Sequence, residues 1–349
     1  MMVETLNWGV IGTGGIASDF AEALSHSRRC RVVNAVGSSP QKAREFAARW
    51  RLPRASQTLE ALLGDEDVQA VYIATPHPAH EAQAIACLDA GKAVLCEKPL
   101  TLDAAGAERV IGAARRNQVF LMEAWMYRCH PLLRELIARL KAGVIGEIRH
   151  VRADFAFRVP RNPAGRLFDL KLGGGGILDD GGYPLSFARL IAGLIEGKPF
   201  AEPIATTAVG FVGPTGADEL TTAALRFASG FSAVCTSGVH HEAGRVAVVF
   251  GELGRIVLPD PWIPGSDRQG RETSFTVYID GKKPELVPVR TEGATYAIEA
   301  ELVASSLPAL EAPWPAMSWA DSLGNMRGLD AWRAALATGK TITSEGTKE

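Results

Sequence analysis

The sequence predicts two domains, an α/β domain with a parallel sheet and an α+β domain with a large, open, mainly antiparallel (mixed) sheet. Three observations lead to this fold class. Strand and helix patterns alternate strictly up to about residue 123, a glycine-rich turn follows the first strand, and strand patterns then follow one another on short turns. Strict alternation is typical of βαβ units, and closely spaced strands are typical of antiparallel sheets. Because 349 residues suffice for about two domains, we expect domains at 1–123 and 124–349.

The first domain is predicted from short apolar runs that end at glycines or polar residues. Such runs are typical of buried parallel strands, and the amphipathic stretches between them are typical of helices. The second helix has Ser39 as its expected N-cap and Pro40 at its first position, where both residue types are favoured. The predicted strands are 7–11, 31–36, 70–74, 93–96 and 119–122, and the predicted helices are 16–24, 39–50, 80–90 and 104–117.

The second domain begins with an amphipathic helix at 131–142 and continues mainly in strands. Ser229-Gly230 and Leu253-Gly254 have the composition of tight hairpin turns, which connect antiparallel neighbours. The predicted strands are 151–157, 207–212, 220–227, 231–237, 246–250, 255–258 and 275–279.

Composition argues against several classes of protein. The chain has 37 basic and 39 acidic residues and a formal charge of −2, so its charge indicates neither a nucleic-acid groove nor a membrane surface. No apolar run approaches the ~18 residues of a membrane span. The five cysteines are scattered without a Cys-x-x-Cys pair, which disfavours a disulfide framework or structural zinc. We therefore expect a cytoplasmic protein.

Gly12-Thr13-Gly14-Gly15-Ile16-Ala17 forms a G-x-G-x-x-A motif between the first strand and the first helix. In a Rossmann domain the first glycine makes the tight turn, the second lets the backbone approach a pyrophosphate, and Ala17 permits close helix–strand packing. The N–H groups at the helix start then face the phosphates. A glycine turn without a ligand is the alternative, which the βαβ context disfavours. We expect these six residues to bind a dinucleotide.

The end of the second strand indicates which dinucleotide is bound. A carboxylate about 20 residues after the glycines would hold the ribose 2′-hydroxyl of NAD. Ser38 and Ser39 stand there instead, with Lys42 one helical turn further on. Two hydroxyls and a cation suit the 2′-phosphate of NADP, so we expect NADP, with NAD as the alternative. The competing interpretation is that Ser39 only caps the helix and Lys42 is solvated.

The third predicted strand ends in the segment ATPHPAH, at the sheet edge where doubly wound folds bind ligands. Thr75, Pro76, His77 and His80 are therefore predicted to contact the cofactor. The two histidines also suit a metal pair, but metal sites need three or four ligands and no third one stands nearby. We expect no metal.

Glu97-Lys98-Pro99 follows the fourth predicted strand and so lies at the same sheet edge. We expect Glu97 and Lys98 to reach the cofactor crevice, with Lys98 beside the nicotinamide. An ordinary surface lysine is the alternative, because a three-residue motif is weak evidence. Pro99 fixes the backbone after Lys98, and a cis Lys98–Pro99 bond would mark a turn.

Residues 173–184 read GGGGILDDGGYP, with six glycines in ten residues. So many glycines carry a large ordering cost, which is tolerated where backbone passes close to a ligand or another segment. If a helix begins here, Asp179 and Tyr183 share one face at i and i+4. A flexible linker is the alternative, which the interleaved Ile177, Leu178 and Tyr183 disfavour.

Together these motifs resemble those of the Gfo/Idh/MocA oxidoreductases. The glycine turn, ATPHPAH, EKP and GGGGILDDGGYP occur in the family's order across most of the chain. The segments AVLCEKPLTLDAAGAE and FLMEAWMYRCHPLL are most similar to the branch that contains trans-dihydrodiol dehydrogenase and NADP-dependent D-xylose dehydrogenase. That branch usually has Trp two residues before an arginine that matches Arg128, whereas this chain has Met126 there and Trp125 one place earlier.

The resemblance implies a Rossmann domain followed by a domain whose open sheet often mediates dimerisation. It implies that Lys98 is the EKP lysine of the active site, Asp179 the active-site aspartate and Tyr183 the proton donor. It also implies that Arg128 lies near the cofactor or the substrate.

We therefore expect an enzyme that transfers hydride between nicotinamide C4 and a carbinol or carbonyl carbon of a sugar or related polyol. Tyr183 would act as the base, its phenolate favoured by the Lys98 ammonium. Two alternatives stay open. A large aromatic-lined pocket would favour an aromatic trans-dihydrodiol as substrate. The second alternative is a non-catalytic protein that senses NADP, although such a sensor has no need of a proton donor.

Overall fold

A computed structural model describes residues 5–265, 272–344 and 346–348. Its first sheet contains five parallel strands in the order β2-β1-β3-β4-β5, which confirms the predicted α/β class. These strands are β1 (Leu6–Ile11), β2 (Cys30–Val36), β3 (Ala70–Ile73), β4 (Ala93–Glu97) and β5 (Leu121–Ala124), and the helices between them are α1 (Gly15–Ser25), α2 (Pro40–Trp50), α3 (Leu59–Leu63), α4 (His80–Asp89) and α5 (Ala104–Asn117).

Alternate residues of the first sheet enter two separate apolar clusters. Trp8, Val10 and Tyr72 pack in the cluster that includes side chains of α1, whereas Val71 and Ile73 pack in the cluster that includes side chains of α4 and α5. Successive side chains of a strand point to opposite faces, so a strand covered on both sides is apolar throughout. This is why these runs lack polar alternation.

The second sheet is open and mixed, as predicted. Its ten described strands run in the order β13-β12-β11-β10-β6-β9-β8-β7-β14-β15, and every neighbouring pair is antiparallel except β6 and β9. The strands are β6 (Ile148–Ala156), β7 (Ala205–Val212), β8 (Asp218–Arg226), β9 (Ser232–Gly238), β10 (Gly244–Gly251), β11 (Gly254–Pro259), β12 (Glu272–Ile279), β13 (Glu285–Arg290), β14 (Thr341–Thr343) and β15 (Gly346–Lys348).

The helices after β5 position parts of the site and cover the second sheet. They are α6 (Met126–Cys129), α7 (Pro131–Lys141), α8 (Gly182–Glu196), α9 (Thr295–Ser306) and α10 (Trp319–Thr338). A π-helical turn, Ile177–Gly181, leads directly into α8. The helix expected after the glycine segment is therefore present, although it begins with this wider turn. Among the described residues, no helix is both long and apolar enough to span a membrane.

Helix α9 returns to the first sheet although it follows nearly the whole second sheet in the chain. It packs against α1 and α6. Tyr296, Ala300 and Val303 join the apolar cluster that contains Trp8 and Tyr72. The two sheets are thus connected by a continuous packed region as well as by the chain crossing after β5.

Candidate active site

A cleft of about 1280 Å³ lies at the carboxyl ends of the first sheet's strands. It includes the ends of β1 and β3, between which the strand order changes direction. Ligands of doubly wound sheets bind at such a point because the loops diverge there. One wall also carries residues of β6 and β10, so the cleft is lined by both sheets.

The glycine turn forms one end of the cleft. Gly12 has φ +100°, and a Cβ atom there would lie 2.6 Å from the carbonyl oxygen of Ala74, so only glycine fits. A Cβ on Gly14 or Gly15 would meet no atom within 4 Å. Helix α1 also begins without a side-chain cap or an acidic residue in its first turn. This open, electropositive helix start fits a pyrophosphate.

The other residues of this motif divide between lining and packing. Thr13 and Ile16 line the cleft beside the glycines, whereas Ala17 is fully buried under the helix. Ala17 therefore has the packing role expected of it and lies away from the ligand space.

Ser38 and Lys42 line the cleft at the end of β2, as predicted. Ser39 is the N-cap of α2, and its predicted contact with the cofactor stays a prediction. Its hydroxyl accepts a hydrogen bond from the Lys42 backbone N–H (3.3 Å) as the N-cap of α2, and it is absent from the described lining. Arg49 and Glu45 of the same helix also line the cleft. A hydroxyl and two cations, with no carboxylate on β2 itself, suit a 2′-phosphate.

Thr75, Pro76 and His77 line the cleft, but the prediction for His80 is wrong. The His80 side chain is fully buried, and its ring nitrogens lie 2.8 Å from the carbonyl oxygens of Pro99 and Thr75. His80 therefore holds two loops together rather than a ligand. This use of both nitrogens also argues against a His77–His80 metal pair.

Lys98 lies at the centre of the cleft, one residue after Glu97, which accepts a hydrogen bond from the Tyr72 hydroxyl and also lines the cleft. The Lys98 ammonium donates to the backbone carbonyl of Asp179 at 2.6 Å, and it lies 3.5 Å from the Asp179 carboxylate. The Lys98–Pro99 bond is cis. The ammonium also lies 5.2 Å from the centre of the Tyr183 ring. Three residues predicted to be catalytic therefore converge.

Asp179 is a buried carboxylate surrounded by basic groups. Its Oδ1 atom accepts a hydrogen bond from Arg166 at 2.7 Å and lies 3.8 Å from Nε2 of His77. Burial alone would raise the pKa of Asp179, but the cations of Lys98 and Arg166 hold it well below its ordinary value. Burial also lowers the pKa of His77 to about 3, so that imidazole is neutral. Asp179 is thus an ionised group that fixes the Lys98 ammonium.

Tyr183 projects from the first turn of α8 into an aromatic surround. Its ring centre lies 4.6 Å from that of Trp125, 5.1 Å from Phe155 and 5.8 Å from Tyr127. Burial, together with nearby acidic groups, raises the pKa of Tyr183 well above 10. The expectation that Lys98 favours the phenolate is therefore wrong for this state, because the ammonium is bound to Asp179. A neutral phenol is suited to donate a proton to a carbonyl oxygen.

Several lining residues were not anticipated from the sequence. Phe155 and Phe157 come from the end of β6, and Arg245 of β10 lies opposite Phe155, its guanidinium 5.5 and 5.7 Å from the two ring centres. Arg166 lies in an irregular segment, and Asp180 follows Asp179. The alternation of Phe155 and Phe157 is the one signal that points to a shared face.

Arg128 does not reach the cleft, which corrects the expectation carried by the resemblance. Its side chain is fully buried, donates to the carbonyl of Pro315 at 2.7 Å and pairs with Asp321 at 2.7 Å. Asp321 also pairs with Arg189, which is bound in turn to Glu202. Arg128 therefore belongs to a buried ionic network behind α8.

One group of metal-ligand residue types lies outside the cleft. Donor atoms of Glu219, His240 and His241 lie within 4.8 Å of one another in the described part of the chain. Glu219 is already bound by both nitrogens of the Arg161 fork at 2.7 and 2.5 Å, and His240 lies 2.8 Å from the Val159 carbonyl. These bonds account for the cluster without an ion.

Comparison with protein families gives two matches, one for each of two successive segments of the chain. Residues 6–124 match the GFO/IDH/MocA oxidoreductase family with its NAD-binding Rossmann fold, and residues 133–257 match the GFO/IDH/MocA C-terminal domain. A trans-1,2-dihydrobenzene-1,2-diol dehydrogenase from Xenopus tropicalis is 33% identical over 319 residues, which cover 90% of this chain and 93% of that protein. The enzyme of that name from Mus musculus is 36% identical over 285 residues, with 81% and 80% coverage.

Solved structures of oxidoreductases are also similar to this chain. A 3-ketoreductase from Actinomadura kijaniata, in complex with NADP and TDP-benzene, superposes with a TM-score of 0.83 at 27% identity over 95% of this chain and 98% of that chain. An aldose-aldose oxidoreductase from Caulobacter crescentus has a TM-score of 0.85 at 22% identity, over 97% of this chain and 100% of that one. The second likeness supports the fold.

Proposed function

The chain belongs to the Gfo/Idh/MocA oxidoreductase family, and we propose that it transfers hydride between NADP(H) and a carbinol or carbonyl carbon of a sugar or related polyol. The convergence of Lys98, Asp179 and Tyr183 in the cleft that also contains the glycine turn carries this proposal. The glycine turn at the start of α1 would hold the pyrophosphate of such a cofactor.

Each of the three residues has a distinct role in this proposal. When bound, the dinucleotide would supply the hydride in reduction and accept it in oxidation. Tyr183 donates the proton that the substrate oxygen gains on reduction and takes it back on oxidation. Lys98 places a positive charge beside that oxygen and stabilises the negative charge that develops there. Asp179 fixes the position of Lys98.

NADP is the proposed cofactor and NAD the alternative. Ser38 and Lys42 line the cleft where the 2′-position of the adenosine ribose would lie, and no carboxylate stands at the end of β2. The ketoreductase that superposes well on this chain was solved with NADP, which supports the same choice.

An aromatic trans-dihydrodiol is a second candidate substrate. Phe155 and Phe157 give the cleft an apolar lining, which suits a flat ring better than a fully hydroxylated sugar. The two relatives compared above are both called trans-1,2-dihydrobenzene-1,2-diol dehydrogenases. Sugars and dihydrodiols share one feature, a hydroxyl next to the reacting carbinol.

We further propose a homodimer formed through the second sheet. Val209, Phe211 and Val212 of β7 are 73%, 51% and 48% exposed, so this strand presents apolar side chains that a second copy would cover. Light scattering at micromolar concentration tests this, and a monomer mass would contradict it.

We also propose that the two domains divide between residues 123 and 124. A cytoplasmic location is proposed because the five cysteines are free and buried.

A spectrophotometric screen tests the proposed activity. Sugars, cyclic polyols and a trans-dihydrodiol are each incubated with NADP⁺ and with NAD⁺, and formation of reduced cofactor is followed. We expect oxidation of at least one vicinal diol, faster with NADP⁺. Tight binding of NADPH without turnover of any compound would instead favour the alternative of a non-catalytic protein that senses NADP.

A further inference from the structure

Asp180 is a cleft residue to which neither the motif nor the mechanism above gives a role. It lies in the π-helical turn one residue after Asp179, is 3% exposed and lines the cleft. Its Oδ2 atom has no hydrogen-bond partner in the part of the chain that the structure describes. A carboxyl group that lines a binding space and has an unpartnered oxygen is normally completed by a ligand or by water.

The basic groups near Asp180 are engaged elsewhere. Lys98 and Arg166 both bind Asp179, the first at its carbonyl and the second at its carboxylate. Arg245 lies over the rings of Phe155 and Phe157. Asp180 is therefore close to three cations but is not the direct partner of any of them.

The charge state of Asp180 follows from this arrangement. Burial raises the pKa of Asp180 first and the ionised Asp179 raises it further, whereas Lys98, Arg166 and Arg245 lower it. The net direction is well above the ordinary value, because two adjacent buried carboxyl groups do not both ionise readily. Tyr183, which lines the same cleft, is neutral as well. The Asp180 side chain thus has an O–H group to donate.

We propose that Asp180 is a substrate-binding residue whose neutral carboxylic acid donates a hydrogen bond to the oxygen next to the reacting carbinol. Asp180 precedes Tyr183 by three residues, and both side chains line the cleft. With Tyr183 at the reacting oxygen, Asp180 reaches the neighbouring one. This inference rests on the proposed function, and it makes Asp180 the residue that selects vicinal diols over simple alcohols.

A matched pair of substrates tests the selection. Trans-cyclohexane-1,2-diol and cyclohexanol share a ring and differ by the second hydroxyl, and kcat/KM is measured for each with NADP⁺. Asp180→Leu should lower the ratio of diol to alcohol about 10–100-fold, mainly through KM for the diol, because the hydroxyl loses its partner. Asp180→Asn keeps a donor of the same shape and should keep the ratio within about threefold. Fluorescence titration with NADPH checks that both variants are folded and bind cofactor.

Infrared difference spectra provide a test that does not depend on turnover. Wild type minus Asp180→Asn, both with NADP⁺ at neutral pH, should show the carbonyl stretch of a neutral carboxylic acid. A carboxylate band in its place overturns the proposal, and so does an unchanged diol-to-alcohol ratio in Asp180→Leu when the wild type oxidises the diol. A wild type that oxidises neither compound, and no other diol or sugar, overturns the proposed function and this assignment with it.

Discussion

Replacement of Tyr183 by Phe tests the proposed proton transfer, because it removes one oxygen and leaves the ring in place. The ring contacts with Trp125 and Phe155, 4.6 and 5.1 Å between centres, are available to Phe as well. We therefore expect the free energy of unfolding to change by no more than about 1 kcal/mol. The pyrophosphate site at α1 is untouched, so affinity for NADPH should stay within about threefold of the wild type.

The expected loss lies in the chemical step. Removing a positioned general acid costs about 10²–10⁴-fold in rate, which is about 2.7–5.4 kcal/mol at 1.36 kcal/mol per decade. The Lys98 ammonium, 5.2 Å from the ring centre, stays in place and continues to stabilise the substrate oxygen. We therefore expect a loss of about 10³ in kcat, the middle of that range.

The assay compares steady-state kcat and KM for a diol with a fluorescence titration of NADPH. Tyr278→Phe is the matched control, since Tyr278 lies on β12 of the second sheet, beside Arg255 and outside the described lining of the cleft. The control should behave as wild type. Loss of NADPH binding in Tyr183→Phe, or a kcat within about tenfold of wild type, would show that Tyr183 is structural.

Four further substitutions test the other roles. Lys98→Met should reduce kcat/KM by about 10²–10⁴-fold with folding intact, and more than about a tenth of wild-type activity would exclude the role; Lys198→Met, a surface substitution, is its control. Ser39→Ala should lower the free energy of unfolding by about 1 kcal/mol and leave the NADP-to-NAD ratio of kcat/KM unchanged; a change in the ratio would place Ser39 at the cofactor. Ser38→Asp should reverse that ratio, because a carboxylate repels the 2′-phosphate; retained NADP preference would contradict the cofactor assignment. Arg128→Met should destabilise the fold by about 3–5 kcal/mol, measured by denaturant unfolding, because the buried Asp321 loses one of its two cationic partners and the Pro315 carbonyl loses its donor; an unchanged free energy of unfolding would contradict the role of this network.

The regular part of the first domain could be predicted because its signals are local. Apolar runs and helix caps are adjacent residues, and the structure places strand and helix ends within about three residues of the expected positions. The prediction failed for α9 and α10, in which apolar residues are spread around the helix instead of forming a stripe. Their burial against both sheets depends on contacts between distant parts of the chain.

In the candidate site, too, local motifs could be predicted from the sequence and contacts between distant segments could not. Lys98, Asp179 and Tyr183 were expected because they occupy motif positions, and the structure brings them together. Arg128 could not be distinguished from a ligand-binding arginine, because its partner Asp321 is 193 residues away in the chain. Arg245 reaches the cleft only because β10 pairs with β6, a register that no local pattern specifies.

Transfer of deuterium from substrate to cofactor tests the central claim most directly. Trans-cyclohexane-1,2-diol that carries deuterium on both carbinol carbons is incubated with the enzyme and NADP⁺, and the reduced cofactor is isolated and analysed by mass spectrometry and NMR. We predict one deuterium at nicotinamide C4 and a ketone at the former carbinol carbon. Reduced cofactor without deuterium, or no reduced cofactor with this diol or with any sugar or dihydrodiol labelled in the same way, would contradict the account.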